Sequence, residues 1–359
     1  MRAKIERRQR VPVAVAIARQ YPAVSTQRRQ FDVQVNEVRT TRIIIEVKDR
    51  AFSLAVAAVG RDEAVLWIRS TITDALNDFH AFQSARTFVM LHHSRYADVD
   101  RQYLDREVLR MLGPGGQRAG IVIVGTQTLE QSLDIDADLL VTDAVPADVL
   151  LQRLGRLHRH RAGTVPTAVV LDPGNWDQSV SADGRPLGGP DQGWAWIYNP
   201  LAVRETIEWL RVQGTISVPT NVREIVELAT HADHLKNRAE FYGGRWVALW
   251  QYVFGNATAD AQQAQSGLID RQLSYEQALV NERVPTRLGD GSVDVEVRGD
   301  LRSPFTQSAI DALSVRANWL RGAQPGSSAN VVGIDDLGRT LLDVNGVPLA
   351  YGVEGLTLI

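Results

Sequence analysis

The sequence predicts an α/β protein: a parallel sheet with helices on both faces, then a helical region and a small α+β domain. Three observations carry this. Short apolar runs such as RIIIEV, AVLWI, TFVML, IVIVG, LLVTD and TAVVL have the length and continuity of strands buried on both faces. Between them stand longer segments whose apolar residues recur at helical spacing. Their alternation in chain order selects a parallel sheet rather than hairpins.

Taken in order, residues 1–42 read as a basic connector. The first 50 residues hold twelve Lys/Arg against five Asp/Glu, a stretch suited either to a nucleic-acid backbone or to solvent. The sheet-forming lobe is expected over 43–173. RIIIEV opens it, AFSLAVAAVG (51–60) packs on the sheet as a helix, and Val65 to Ile68 form the next strand. Thr71 and Asp74 make a Thr-x-x-Asp capping pair, and Ile72, Ala75, Leu76 and Phe79 follow helical spacing behind it. RTFVMLHHSRY is a strand with its exit loop, and DVDRQYLDREVLRML is an amphipathic helix stopped by GPGG. IVIVG, the polar loop GTQTLEQSLDID, the strand LLVTD and a helix carrying QRLGRLHRH follow. TAVVLDP (167–173) is expected to be the last sheet strand.

Residues 174–200, rich in Gly and Pro, read as an ordered loop. Its Trp176, Trp194 and Trp196 suit anchors into a neighbouring domain better than platforms for bases. Residues 201–265 turn helical, with LAVRETIEWLRVQG ending at Gly214. A second helix starts at an Asn-x-x-Glu pair, Asn221 and Glu224, and a third packs near 240–254. Residues 266–359 form the C-terminal domain. It comprises a strand alternating at Val293, Val295 and Val297, a helix from Ser303 or Pro304, and short strands in GRTLLDV and VPLAYG.

Composition excludes several chemistries. There is no cysteine, so disulfides, thiolate metal sites and cysteine nucleophiles are ruled out. No apolar run reaches the roughly 18 residues of a membrane helix, so a cytoplasmic protein with no membrane partner is expected. The net charge of −3 argues neither for nor against nucleic acid.

The chemistry concentrates in 121–160. From Gln152, Arg156 lies four residues on and Arg159 seven, so a continuous helix would put all three on one face. An amide and two guanidiniums facing one way suit a triphosphate, because arginine keeps its charge and forks onto phosphate oxygens. Gly155 between them costs about 1 kcal/mol in a helix interior, tolerable where something must approach the backbone. An isolated R-x-x-R would read as a solvated basic face. The full Q-R-x-G-R-x-x-R string, two strands after T-x-x-x-E-Q-S-x-D-I-D, sets that reading aside.

TQTLEQSLDIDADLLVTD followed by LLQRLGRLHRH resembles motifs V and VI of the superfamily-two helicases. More narrowly, it is similar to the CRISPR-associated helicase–nuclease of type I systems, which is recruited by an RNA-guided surveillance complex and degrades invading DNA. The likeness extends more weakly to LHHSRY upstream and VPTRLGDGSVDVEV downstream. It implies a RecA-like second motor lobe followed by a C-terminal domain that closes over a single-stranded DNA channel. It implies that Arg156 and Arg159 act as arginine fingers beside Gln152, and that Asp134 meets the ribose of ATP. The alternative for Asp134 is a loop cap bonding backbone amides. Thr126 and Gln127 match residues that touch the strand's sugar-phosphate backbone, and Arg95 matches a phosphate contact. The adjacent His92 and His93 suit packing or hydrogen bonding better than metal binding, since neighbours on a strand point to opposite faces.

Other parts of the family pattern do not occur. Lysine stands only at 4, 48 and 236, so no G-x-x-x-x-G-K-[ST] phosphate loop exists. Asp62-Glu63 precedes a strand instead of following one, and no His-Asp dipeptide occurs. The expectation is therefore half an ATP site, with ATP and Mg2+ held mainly by a first lobe on another polypeptide or on a longer chain, together with the nuclease domain. Two other readings remain: a non-hydrolysing nucleic-acid-binding or regulatory relative, and a fragment of another superfamily-two helicase acting on RNA.

Overall fold

The computed structural model describes residues 23–25, 30–32, 38–130, 133–160, 165–189, 191–266, 292–320 and 327–359. Most of the basic connector, Gln131 and Ser132 of the polar loop, and the VPTRLGDG turn lie outside them. Strands β1 (Ala23–Ser25) and β2 (Gln30–Asp32) form an antiparallel pair.

The main sheet has seven strands. Its elements are β3 (Arg39–Glu46), α1 (Lys48–Val59), β4 (Ala64–Ile68), α2 (Ile72–Ser84), β5 (Val89–His92), α3 (Asp98–Leu112) and β6 (Ile121–Gly125). There follow β7 (Leu139–Thr142), α4 (Ala147–Leu154), β8 (Thr167–Leu171), α5 (Trp194–Ile197), α6 (Pro200–Gln213) and β9 (Thr215–Val218). The spatial order is β5-β6-β4-β7-β8-β3-β9. All pairs are parallel except β3 with β9. The apolar runs are continuous because the sheet is covered on both sides, and their residues alternate between two cores. Leu66, Ile68, Ile121, Ile123, Leu140, Ala168 and Val170 face one core, with Leu150, Leu201 and Ile207 from α4 and α6. Val65, Trp67, Val122, Val124, Val141 and Val169 face the other, with Ala51, Ala55, Phe79 and Phe82 from α1 and α2.

The expected strands and helices of this lobe form close to where the sequence places them. Thr71 caps α2 by accepting from the Asp74 amide at 3.1 Å, and α6 stops at Gly214, whose φ of 63° a side chain would resist. Two expectations are corrected. TAVVLDP is not the last strand, because Thr215–Val218 returns and pairs antiparallel with β3, a four-residue run too short to read as a strand. Asn221 precedes α7 (Val222–Thr230) but does not cap it; its side-chain oxygen accepts from the Ser217 amide at 2.8 Å. Helices α8 (Ala232–Tyr242) and α9 (Gly244–Ser266) complete the helical region.

The C-terminal region is a six-stranded sheet in the order β11-β10-β12-β13-β14-β15. The strands are β10 (Ser292–Arg298), β11 (Ala312–Arg316), β12 (Ser328–Ile334), β13 (Thr340–Val344), β14 (Val347–Gly352) and β15 (Gly355–Leu358). The helix expected from Ser303 does not form. The Ser303 hydroxyl does accept from the Phe305 and Thr306 amides at 3.1 and 2.9 Å, as an N-cap would. The chain then turns through Gln307 at φ 62°, and Leu313 and Val315 enter the sheet core opposite β10. Period-two burial overrides the cap signal.

This sheet docks on the loop leaving β5. The Tyr351 hydroxyl accepts from the Ala97 amide at 2.9 Å and donates to the buried Asp100 carboxylate. Tyr96 donates to the Val353 carbonyl at 2.8 Å, and the Leu356 amide to the Arg95 carbonyl at 3.0 Å. Gly355 must be glycine here: a Cβ would stand 2.9 Å from His93 Cε1, and φ is 71°. His93 is fully buried at this seam and stacks on Tyr96 at 4.5 Å. Its Nδ1 accepts from the Arg95 amide and its Nε2 donates to the Glu354 carbonyl, both at 3.1 Å, which fixes the neutral ring.

Two outcomes follow from this seam. Tyr351→Phe leaves the Ala97 amide and the Asp100 carboxylate without their shared partner, and should lower urea-unfolding stability by about 2 kcal/mol; unchanged stability would mean that the docking does not depend on this hydroxyl. Burial, helped by the Arg95 charge, pushes the His93 pKa down to about 3, against about 6.5 in an unfolded chain. Between those values the unfolded chain binds the extra proton. The stability present above pH 6.5 is therefore lost as pH falls, by roughly 1.4 kcal/mol per unit at most. The loss from pH 7 to 5 should be shallower in His93→Gln, and identical pH profiles would exclude His93 as its source.

Candidate functional site: the 126–136 loop and its two faces

The carboxyl ends of β4, β5, β6 and β7 converge on one loop, as parallel sheets arrange their ligand-facing segments. β6 ends at Gly125, where a Cβ would stand 2.4 Å from the His92 carbonyl oxygen. That close approach sets the start of the loop. Thr126 is buried, and Gln127–Leu129 make a single 3-10 turn. The Gln127 amide donates to the Ser70 carbonyl at 3.1 Å, which ties the loop to the end of β4.

Past this turn, Glu130 is buried against Arg153 of α4, with Glu130 Oε1 2.8 Å from Arg153 Nε and 2.6 Å from its Nη2. Arg153 is fully buried and also donates to the Thr142 hydroxyl at 2.5 Å and to the Tyr198 hydroxyl at 3.1 Å. Arg156 donates to the Leu133 carbonyl and, at 2.6 Å, to the Glu130 carbonyl. Desolvation and the nearby Arg159 charge lower its pKa. The loop is thus held by a carboxylate–guanidinium pair and by a second guanidinium on its main chain.

Here the helix-face expectation is corrected. α4 ends at Leu154, with Gly155 as its C-cap, so Gly155 is not inside a helix and Arg156 and Arg159 are not on one. Gln152 is on the last turn of α4, exposed. The chain past Gly155 instead runs beside Asp134–Asp138, bridged in parallel between Ala137 and Leu157, with His158 at φ 48°. Apolar Leu157 is buried by this turn, and a helix would direct it elsewhere.

Arg159 is 41% exposed and pairs with the 50% exposed Asp134 at 2.8 Å; His160 reaches the same oxygen at 3.0 Å. The capping role weighed for Asp134 falls to Asp136. That buried carboxylate accepts from the Arg159 amide at 2.9 Å and pairs with Arg118 at 2.5 Å. Arg156 and Arg159 therefore meet the loop, at Glu130, Leu133 and Asp134, from the turn past Gly155 and not from a helix face, while Gln152 stays on α4.

At the other end is a cavity of about 740 Å3. Thr126, Gln127 and Arg95 line it with Thr71, Trp196 and Arg316. The three residues expected to meet a nucleic-acid backbone are thus brought together. Arg95 is half-buried, and burial followed by the Arg316 charge brings its pKa down to about 10. Behind this cavity lies a cluster centred on the fully buried Arg69, which pairs with Asp143 at 2.9 Å, Asp191 at 2.8 Å and Asp78. Lys48 joins Asp78 at 2.8 Å and Asp191 at 2.7 Å. Burial pushes the Asp143 carboxyl up against the downward pull of Arg69.

The histidines act as packing groups. His92 bonds Thr128 at 2.8 Å and Asp105 at 2.7 Å, and His93 is engaged at the docking seam. Among the described residues, no group of three or more His, Asp or Glu is placed to hold a metal ion, and no helix is long and apolar enough to cross a membrane. Trp176 and Trp194 are buried and meet edge to face at 5.8 Å, as anchors do, whereas Trp196 is exposed. Sequence reasoning missed Glu130, Arg153, Asp136 and Arg69. The first two stand in plain view in T-x-x-x-E and Q-R-x-G, but their pairing depends on burial.

Comparison with known proteins bears on this arrangement. Residues 61–162 match the family model of the CRISPR-associated nuclease/helicase Cas3, C-terminal. The chain is 30% identical over 233 residues to the CRISPR-associated endonuclease/helicase Cas3 of Thermus thermophilus, covering 58% of this chain and 24% of the relative. A crystal structure of T. fusca Cas3-ATP shares the fold with a TM-score of 0.66 at 21% identity, over 91% of this chain and 43% of that one. A chain of a CRISPR RNA-guided surveillance complex, pre-nicking, does so at 0.63 and 20% identity, over 90% of this chain and 45% of that one. The chain spans less than half the length of these relatives. The matched family region contains the whole 126–136 loop and its arginines, and the shared fold covers 91% of this chain; over most of its length, this chain is similar to the C-terminal region of the Cas3 helicase–nucleases.

Proposed function

We propose that this chain supplies the second motor lobe and C-terminal domain of an ATP-driven helicase. In this reading it translocates on single-stranded DNA in type I CRISPR antiviral defence, beside an RNA-guided surveillance complex. The observation that carries it is the 126–136 loop. One end lines the cavity with Thr126 and Gln127, and the other presents Asp134 beside Arg159. Between them the loop is gripped by Arg153 and Arg156.

The donor set fits a triphosphate met from one side. ATP supplies the negative charge that the guanidiniums meet, and the described residues offer no carboxylate cluster for Mg2+, which the reading assigns to the first lobe. Arg159 is the better phosphate contact of the two fingers. Its guanidinium faces a half-exposed carboxylate, so exchanging that partner for phosphate costs little burial. Arg156 is bonded to main-chain carbonyls and positions the loop. In this reading Gln152, on the last turn of α4, completes the phosphate contacts and Asp134 meets the ribose.

The test is ATP hydrolysis with single-stranded DNA, by the chain alone and mixed with the first lobe as a separate polypeptide. Inactivity alone and turnover on mixing are expected; turnover alone would overturn the lobe assignment. In the mixture, Arg159→Ala should lower turnover by about 10^3, the scale of an arginine finger, with DNA binding by the chain unchanged. Arg156→Ala should lower turnover and also weaken DNA binding, because the loop slackens. Normal turnover in Arg159→Ala would refute the finger role.

A further inference from the structure

Two cavities meet at a shared wall between the motor lobe and the C-terminal sheet. The first is the 740 Å3 cavity at the loop. The second, about 580 Å3, is lined by residues of the β5 exit and of β10 and β11. Ser94, Arg95 and Arg316 belong to both.

Arg95 carries a buried Nε with no hydrogen-bond partner, and its guanidinium lies 4.7 Å over the Trp319 ring. Arg316, exposed at the end of β11, brings a second positive charge to it. Two like charges that line the same open space favour an anion between them. The carboxylates nearby do not fill that role. Asp74 is engaged by the Thr71 hydroxyl at 2.6 Å and the Asp191 amide at 3.1 Å, and Asp98 by Arg101 at 3.1 Å. Asp294 lines only the second cavity, which places an anion at the shared wall and not deeper.

Trp196, 62% exposed, lines the first cavity together with Arg95 and Arg316. Its ring is pressed against the Gly188 backbone, where a Cβ would come within 2.3 Å. One ring face is thus immobilised while the side chain as a whole remains open to solvent. Trp194, two residues earlier, is buried in the core and fixes the short helix that bears both. An exposed indole packed on main chain and lining one cavity with two guanidiniums is what stacking on a base next to a bound phosphate requires.

We propose that Trp196, Arg95 and Arg316 form a single-nucleotide subsite. Arg95 and Arg316 seat one backbone phosphate across the seam between lobe and C-terminal sheet, and Trp196 stacks on the neighbouring base. This rests on the DNA reading above and adds to it a residue of the C-terminal sheet and an aromatic platform.

The test is binding of the 359-residue chain to a labelled oligo-dT and to a matched oligonucleotide of abasic sites, each over a range of salt. Trp196→Ala should weaken oligo-dT binding about tenfold and leave abasic binding unchanged, since stacking needs the base. Arg316→Ala should weaken both and lower the salt slope by about 0.7, the share of one single-strand phosphate, while Arg316→Lys keeps the slope. Equal loss on both oligonucleotides in Trp196→Ala, or no loss on either, overturns the stacking platform. An unchanged slope in Arg316→Ala overturns the phosphate seat. If the unsubstituted chain binds neither oligonucleotide, the DNA reading itself fails, a result distinct from either variant's.

Discussion

The buried pair of Glu130 and Arg153 joins the segments on which the candidate site depends. A guanidinium and a carboxylate removed from water are each costly alone, and removing one of such a pair typically costs about 3–5 kcal/mol. Here the cost is offset by a complete set of partners: Glu130, the Thr142 hydroxyl and the Tyr198 hydroxyl around one fully buried guanidinium. These partners come from the polar loop, the end of β7 and the segment just before α6. The pair therefore fixes where the loop leaves the sheet and where α4 ends.

A second buried guanidinium does the same for the cavity. Arg69 leaves β4 and gathers carboxylates from α2, from the end of β7 and from the loop at Asp191. The Asp191 loop leads within a few residues to Trp196, so the cavity's aromatic wall is placed by an ion-pair hub at the sheet end. Charge in this region is arranged in two tiers. The deep guanidiniums, Arg69 and Arg153, are matched by acids, whereas Arg95 and Arg316 line open space. The matched tier gives rigidity, and the open tier is available to an anion.

The C-terminal sheet completes this arrangement because it docks on the β5 exit loop through hydrogen bonds and through Phe305, which packs against the lobe's core and stacks on Tyr103 at 5.5 Å. Its core is its own, with Ala97 as the lobe's buried contribution. The same loop carries Arg95, His93 and Tyr96, so the docking contact and the cavity wall share one short stretch of chain.

Much of the lobe was legible in the sequence, because strands buried on both faces leave continuous apolar runs and surface helices leave a periodic stripe. IVIVG, AVLWI and the Thr71–Asp74 cap needed no tertiary information. The grouping of Arg95, Thr126 and Gln127 was likewise readable through family likeness, since strand ends of a parallel sheet meet at one edge. What the sequence could not decide was set by burial and by partners remote in the chain. Gly155 and Arg156 read as helix by spacing, yet Leu157 buries beside Ala137 and the helix ends early. Ser303 read as a helix start, yet Leu313 and Val315 find β10 across a turn. Asp134 and Asp136 are alike in sequence, and only the position of the turn over them makes one a buried cap and the other a surface partner for Arg159. Local pattern determines which segments are strands and helices. Which polar groups become struts and which face open space depends on where the folded chain removes water, and that is a property of the tertiary structure alone.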